Sequence, residues 1–173
     1  MMLRKIEMMS RKIYLITLLL VAALGLLVHT VTTRCMRWGY CNANALVGAA
    51  MKSDTERIVY CIGHGADINA PNRWGWHREL KGLTPLTAAV ESGNLKTISC
   101  LVEFGADVNL TDGFMQTAAF GAAVRGDSEI IFLLANAGAD FSRRCKGRTP
   151  LEMARELQHW EAERAIRQVL AER

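Results

Sequence analysis

The chain has 173 residues, half of them hydrophobic and 22% charged, a composition that fits one folded domain with appendages and excludes a disordered chain. Its formal charge of +4 invites an acidic partner. Six Lys/Arg (Arg4, Lys5, Arg11, Lys12, Arg34, Arg37) stand against Glu7 alone in residues 1–44, however, leaving 15 basic and 16 acidic residues in 45–173. The bulk of the chain is nearly neutral, so nucleic-acid binding has no electrostatic warrant.

Residues 1–12 are basic, and Ile13 to Val28 carry no charge, the uncharged run continuing to Thr33. At about 1.5 Å per residue, a helix over 13–33 spans roughly the 30 Å hydrocarbon core of a bilayer. The rival reading is a cleaved signal peptide, which ends at small residues in an A-x-A pattern. Val28-His29-Thr30 and Thr30-Val31-Thr32 match that pattern poorly, and Ala43-Asn44-Ala45 lies far beyond the apolar run. The expectation is therefore an uncleaved, single-pass signal anchor, with secretion or a periplasmic location as the alternative. Four basic residues precede the run and only Arg34 and Arg37 closely follow it, which places 1–12 in the cytoplasm and the rest outside. Residues 34–43 then form a short tether.

Five cysteines (Cys35, Cys41, Cys61, Cys100, Cys145) are scattered without a zinc-ligand spacing. Cys35 and Cys41 are close enough in sequence to bridge in an oxidising compartment, or to remain two thiols. Cys61 and Cys100 fall at apolar helix positions and read as small buried hydrophobes.

The remainder is dominated by self-similarity. Gly105-Ala106-Asp107-Val108-Asn109 recurs 33 residues on as Gly138-Ala139-Asp140-Phe141-Ser142, and stands 40 residues upstream as Gly65-Ala66-Asp67-Ile68-Asn69, so that interval holds a seven-residue insertion. Thr84-Pro85-Leu86-Thr87-Ala88-Ala89 returns at Thr117–Ala122 and Thr149–Ala154, and in degraded form at Asn44–Ala49. Four units follow, at about 44–76, 84–116, 117–148 and 149–173. A 33-residue period with T-P-L-x-x-A and a downstream G-A-D-x-N resembles the ankyrin repeat over roughly three quarters of the chain. The third unit lacks its Pro, and Gln158 replaces the glycine found at 93 and 126. Thr and Pro suit a helix cap and first turn, paired alanines allow close helix approach, and Gly65, Gly105 and Gly138 end the second helices. The resemblance implies an all-α solenoid of helix-turn-helix units with projecting loops, preceded here by one transmembrane helix, and a C-terminal helix with a polar exterior (Glu161, Glu163, Arg164, Arg167, Gln168).

Such a solenoid binds proteins on its concave face and loops, and the fold itself performs no chemistry. The insertion places Trp74, Trp76, His77 and Arg78 in an inter-unit loop, and Trp and Arg dominate interface hot spots. Packing back onto the first helices is the competing role for the two Trp. Phe114 and Met115 put two apolar residues at a second loop tip, with the same two readings. By resemblance, Met51 and Lys52, Glu91 and Ser92, and Val124 and Arg125 face the groove. Arg143-Arg144-Cys145-Lys146-Gly147-Arg148 is a basic loop, either solvated or facing an acidic protein or lipid headgroups. His29, His64, His77 and His159 lack metal-ligand spacing, and no nucleophile triad, P-loop or dinucleotide-binding glycine pattern is present. The expected function is a membrane-tethered protein-binding module that is not an enzyme and takes no metal, cofactor or small-molecule substrate. The alternatives are an inhibitor or immunity-type protein that sequesters a toxin or secreted enzyme, and a structural membrane scaffold.

Overall fold

The computed structural model describes residues 41–72 and 82–172. The chain divides into two units, Met1–Tyr40 and Cys41–Arg173, and every described residue belongs to the second. The apolar run 13–33 and the loop residues 73–81 lie outside the described residues. Among the described residues, no helix is long and apolar enough to cross a membrane.

The described part is built from four helix pairs. They are α1 (Ala43–Met51) with α2 (Thr55–Gly63), α3 (Pro85–Ser92) with α4 (Leu95–Glu103), α5 (Ala118–Arg125) with α6 (Ser128–Asn136), and α7 (Pro150–Glu156) with α8 (Trp160–Ala171). First helices stack in the order α1, α3, α5, α7, and second helices in the order α2, α4, α6, α8. The result is the stacked all-helical solenoid that the 33-residue period predicts.

The repeated motif supplies the helix starts. Thr84, Thr117 and Thr149 each accept a backbone N–H three residues on, and Thr84 and Thr149 complete reciprocal capping boxes with Thr87 and Glu152. Asp54, Asn94 and Asp127 cap the second helices of the first three pairs in the same way. In the first unit the cap is Asn42, two residues before Asn44, whose counterparts cap the later units. No proline fixes the first turn there, so the helix gains residues at its N-terminus.

Between the layers lies a continuous apolar core. Leu46, Ile58, Leu86, Ile98, Leu101, Ile130, Ile131, Leu134 and Ile166 are buried in it, alongside Ala88, Ala89, Ala122 and Ala123. Small residues bring the first helices together; a Cβ on Gly121 would lie 3.3 Å from the Val90 side chain. Cys61 is buried and Cys100 half-buried, and desolvation raises both thiols above their ordinary range. This matches their reading as small hydrophobes.

The turn between the helices of a pair demands a left-handed residue. Gly93 and Gly126 take it at φ 76° and 77°, while Ser53 and Gln158 adopt φ 57° and 61° at the equivalent positions. A side chain in that region costs about 1–2 kcal/mol, so the first and last units carry local strain that the middle two lack.

The conserved-looking pentapeptide G-A-D-x-N has a mechanical role in the stack. Asp67, Asp107 and Asp140 each accept the N–H two residues on, at 2.8–2.9 Å, and so fold the turn after the second helix. The Asn then reaches the next unit. Asn69 Oδ1 accepts the Asp107 N–H at 2.9 Å, and Asn109 Oδ1 accepts the Asp140 N–H at 2.7 Å while its Nδ2 donates to Gly138 O at 3.1 Å. Unit is thereby tied to unit through side chains that the period repeats.

At the C-terminal end, Glu163 accepts from both Arg155 of α7 and Arg167 of α8, and those bonds, Arg167 foremost, hold its carboxyl below the usual range. The expected polar exterior is there in part. Trp160, 69% exposed, and Leu157 and Leu170 stand among the charged residues of that end.

Candidate functional site

The bases of three inter-unit segments occupy equivalent positions in the repeat. At the first, the Asn72 N–H donates to Leu83 O (2.8 Å) and the Gly82 N–H donates to Asn72 O (2.7 Å). These two bonds pair the chain on either side of residues 73–81 and form a neck. At the second, the Asp112 N–H donates to Gln116 O (2.9 Å) and the Met115 N–H to Asp112 O (3.0 Å). The buried Asp112 carboxylate also accepts from the Phe114 and Gln116 N–H groups, at 2.8 and 2.9 Å. At the third, Cys145 and Arg148 exchange both backbone bonds across Lys146 and Gly147, whose φ values of 52° and 83° suit a two-residue hairpin of the primed type.

These fingers touch one another. The Gly113 N–H donates to Gly82 O at 2.7 Å, and the two glycines approach so closely that a Cβ on either would lie 2.8 Å from the other's Cα. No other residue fits that contact. From the third finger, Lys146 Nζ sits 5.9 Å from the Phe114 ring centroid, within cation–π range. The fingers therefore form one ridge. At its centre Phe114 is 38% and Met115 66% exposed, Met115 being held outward at φ 62°.

The other sequence-picked residues sort into three groups. Trp74, Trp76, His77 and Arg78 lie outside the described residues, beyond the neck at Asn72 and Gly82. Val124 is exposed at the end of α5, and Lys52 and Glu91 are exposed at the same edge of α1 and α3. Ser92 and Arg125 each bond a backbone carbonyl, Arg125 while remaining exposed. The Ser92 hydroxyl donates to Ala89 O at 2.8 Å, and Arg125 Nη1 donates to Glu91 O at 2.6 Å with its guanidinium lying over Gly93. Arg125 thus joins two units. Desolvation, and next the neighbouring Asp112, push the Glu91 carboxyl up, against the pull of Arg125.

The basic loop is largely satisfied from within. Arg143 donates to Asn109 O (3.0 Å), Arg144 pairs with Glu152 (3.3 Å) and donates to Gly147 O (2.7 Å), and Arg148 pairs with Glu156 (2.8 Å). Arg144 and Arg148 face carboxylates of α7, which favours the solvated reading for these two. Lys146, which the run of arginines obscured, is the member that joins the ridge.

Among the described residues, no group of three His, Cys, Asp or Glu side chains is placed to hold a metal. His64 stacks on Tyr60, and the half-buried His159 ring lies against Gly126 with its Nδ1 shielded from solvent. Cys35 lies outside the described residues, so the Cys35–Cys41 bridge is not described. Cys41 is half-buried, and its thiol is a neighbour of the Cys61 thiol.

A sequence model of ankyrin repeats (three copies) matches residues 15–112 and 46–145. The first of these matches begins inside the apolar run. Similar proteins include Rabankyrin-5 of Mus musculus, 33% identical over 99 residues, covering 54% of this chain and 8% of that protein. Rabankyrin-5 of Homo sapiens is 33% identical over 101 residues (56% and 9%), and the mitochondrial disaggregase of Homo sapiens 34% over 70 residues (40% and 9%). The chain spans less than a tenth of the length of these relatives.

Proposed function

The chain belongs to the ankyrin-repeat family, and from that premise we propose that it binds another protein through the finger ridge, while residues 13–33 hold it at a membrane. The observation that carries the binding reading is the ridge itself. Backbone contact between Gly82 and Gly113 fixes the neck of the Trp-bearing insertion beside exposed Phe114 and Met115. Aromatic and Met side chains gathered on a rigid support are the composition of interface cores. The exposed ends of α1, α3 and α5 lie at the same edge and extend the surface. The partner is a protein; no nucleic acid and no small-molecule substrate enter this reading.

Changing Trp74 and Trp76 together to alanine is expected to weaken partner binding by a factor of ten or more, with the melting temperature unchanged. Titration calorimetry with the partner, alongside a thermal melt, checks this. Full retention of affinity would sink the role of the insertion.

The membrane reading is supported by the 21 uncharged residues 13–33 and their basic N-terminal flank, with the repeats on the extracytoplasmic side. A second reading is favoured by the family match that begins at residue 15, in which this stretch is repeat-like and soluble. Alkaline carbonate extraction separates them: an anchor stays in the membrane pellet, and a soluble unit is released.

A further inference from the structure

Only residues 52–54 join α1 to α2, and the two helices pack against each other, so the start of α1 lies beside the end of α2. Cys41 immediately precedes the α1 cap, and Cys61 lies in the last turn of α2. Both pack into the same apolar cluster, Cys61 buried and Cys41 half-buried. Each thiol is a neighbour of the other. We propose that Cys41 and Cys61 are a modification site: a disulfide oxidant converts them to an intramolecular disulfide that clips the first helix pair shut.

The chemistry follows from the exposure of the two sulfurs. The Cys41 thiolate, reachable from solvent, attacks one sulfur of a small disulfide such as oxidised glutathione. The attacked S–S bond breaks, one glutathione thiolate leaves, and Cys41 carries the other glutathione as a mixed disulfide. Cys61 then loses its proton to solvent and attacks the Cys41 sulfur, expelling the second glutathione. Two protein thiols have been oxidised by two electrons, and one glutathione disulfide has become two thiols. Burial raises the Cys61 thiol above its ordinary range, so closure quickens with pH.

This pairing differs from a Cys35–Cys41 bridge in which residue Cys41 takes as partner, and it depends on neither partner binding nor membrane attachment. The 173-residue chain, reduced and then exposed to oxidised glutathione at pH 8, is quenched with acid and mapped by mass spectrometry without reduction. A peptide pair joined through Cys41 and Cys61 is expected, retained in Cys35→Ser and lost in Cys41→Ser. The closure rate should rise about tenfold per pH unit between pH 7 and 9, following the Cys61 thiolate fraction. Oxidation should raise the melting temperature by about 5–10 °C, as closing a short loop in the unfolded chain predicts. A Cys35–Cys41 linkage, a glutathionylated Cys41 that never closes, or two thiols that stay reduced would each overturn the proposal.

Discussion

Alanine at both Asn69 and Asn109 is expected to lower the unfolding free energy by about 2–3 kcal/mol, equivalent to a fall of roughly 10 °C in melting temperature for a domain of this size. The two side chains make three bonds between units: to the Asp107 N–H, the Asp140 N–H and Gly138 O. A hydrogen bond of this type contributes about 1 kcal/mol net, and these sites are partly accessible, so water recovers some of the loss. In a repeat stack the damage falls on coupling between neighbours rather than on any one unit. Thermal melts followed by circular dichroism give the total. Amide exchange should quicken at Asp107 and Asp140 before it quickens in the helices. A loss below about 0.5 kcal/mol would mean that solvent replaces the ladder without cost.

The second large effect is expected at Gly113→Ala. The added Cβ would stand 2.8 Å from Gly82 Cα and 3.3 Å from Gly82 O. Both obstacles are backbone, so the first two fingers must separate and give up the 2.7 Å bond between Gly113 N–H and Gly82 O. Gly113 itself is not in the left-handed region, so the substitution tests the close approach without adding backbone strain. Overpacking of this kind costs about 1–3 kcal/mol. Urea denaturation should show that loss with an unchanged slope, because the helix core is untouched. Partner affinity should fall by at least tenfold, since the neck of the insertion no longer abuts Phe114 and Met115. Gly65→Ala is a useful contrast: Gly65 has nothing within 4 Å of the added Cβ, and its penalty comes from its φ of 83° alone.

Much of this architecture is legible in the chain because the repeat signals are local. Thr caps its helix three residues away, and Gly93 and Gly126 occupy the left-handed turns that the motif requires. What escapes a linear reading is contact between units. Arg125 reaches back 34 residues to Glu91 O, a bond between units that no local signal announces. Arg144 and Arg148 find Glu152 and Glu156 across the turn into α7, so half of a run that looks like an unpaired basic patch is paired. Cys41 comes near Cys61 because a helix hairpin folds back on itself. The exposed Trp160 hides in an otherwise charged helix for the same reason: its surroundings are set by the end of the stack.

The finger ridge as a protein-binding surface is the central claim, and site-specific photo-crosslinking tests it most directly. A photoreactive amino acid is placed at Met115 on the ridge or at Phe132, an exposed apolar position on α6, in the full chain in its native cells. The account predicts a covalent adduct of one discrete mass from position 115, lost when Trp74 and Trp76 are alanine, and none from position 132. An adduct from position 132 with none from position 115 would contradict it.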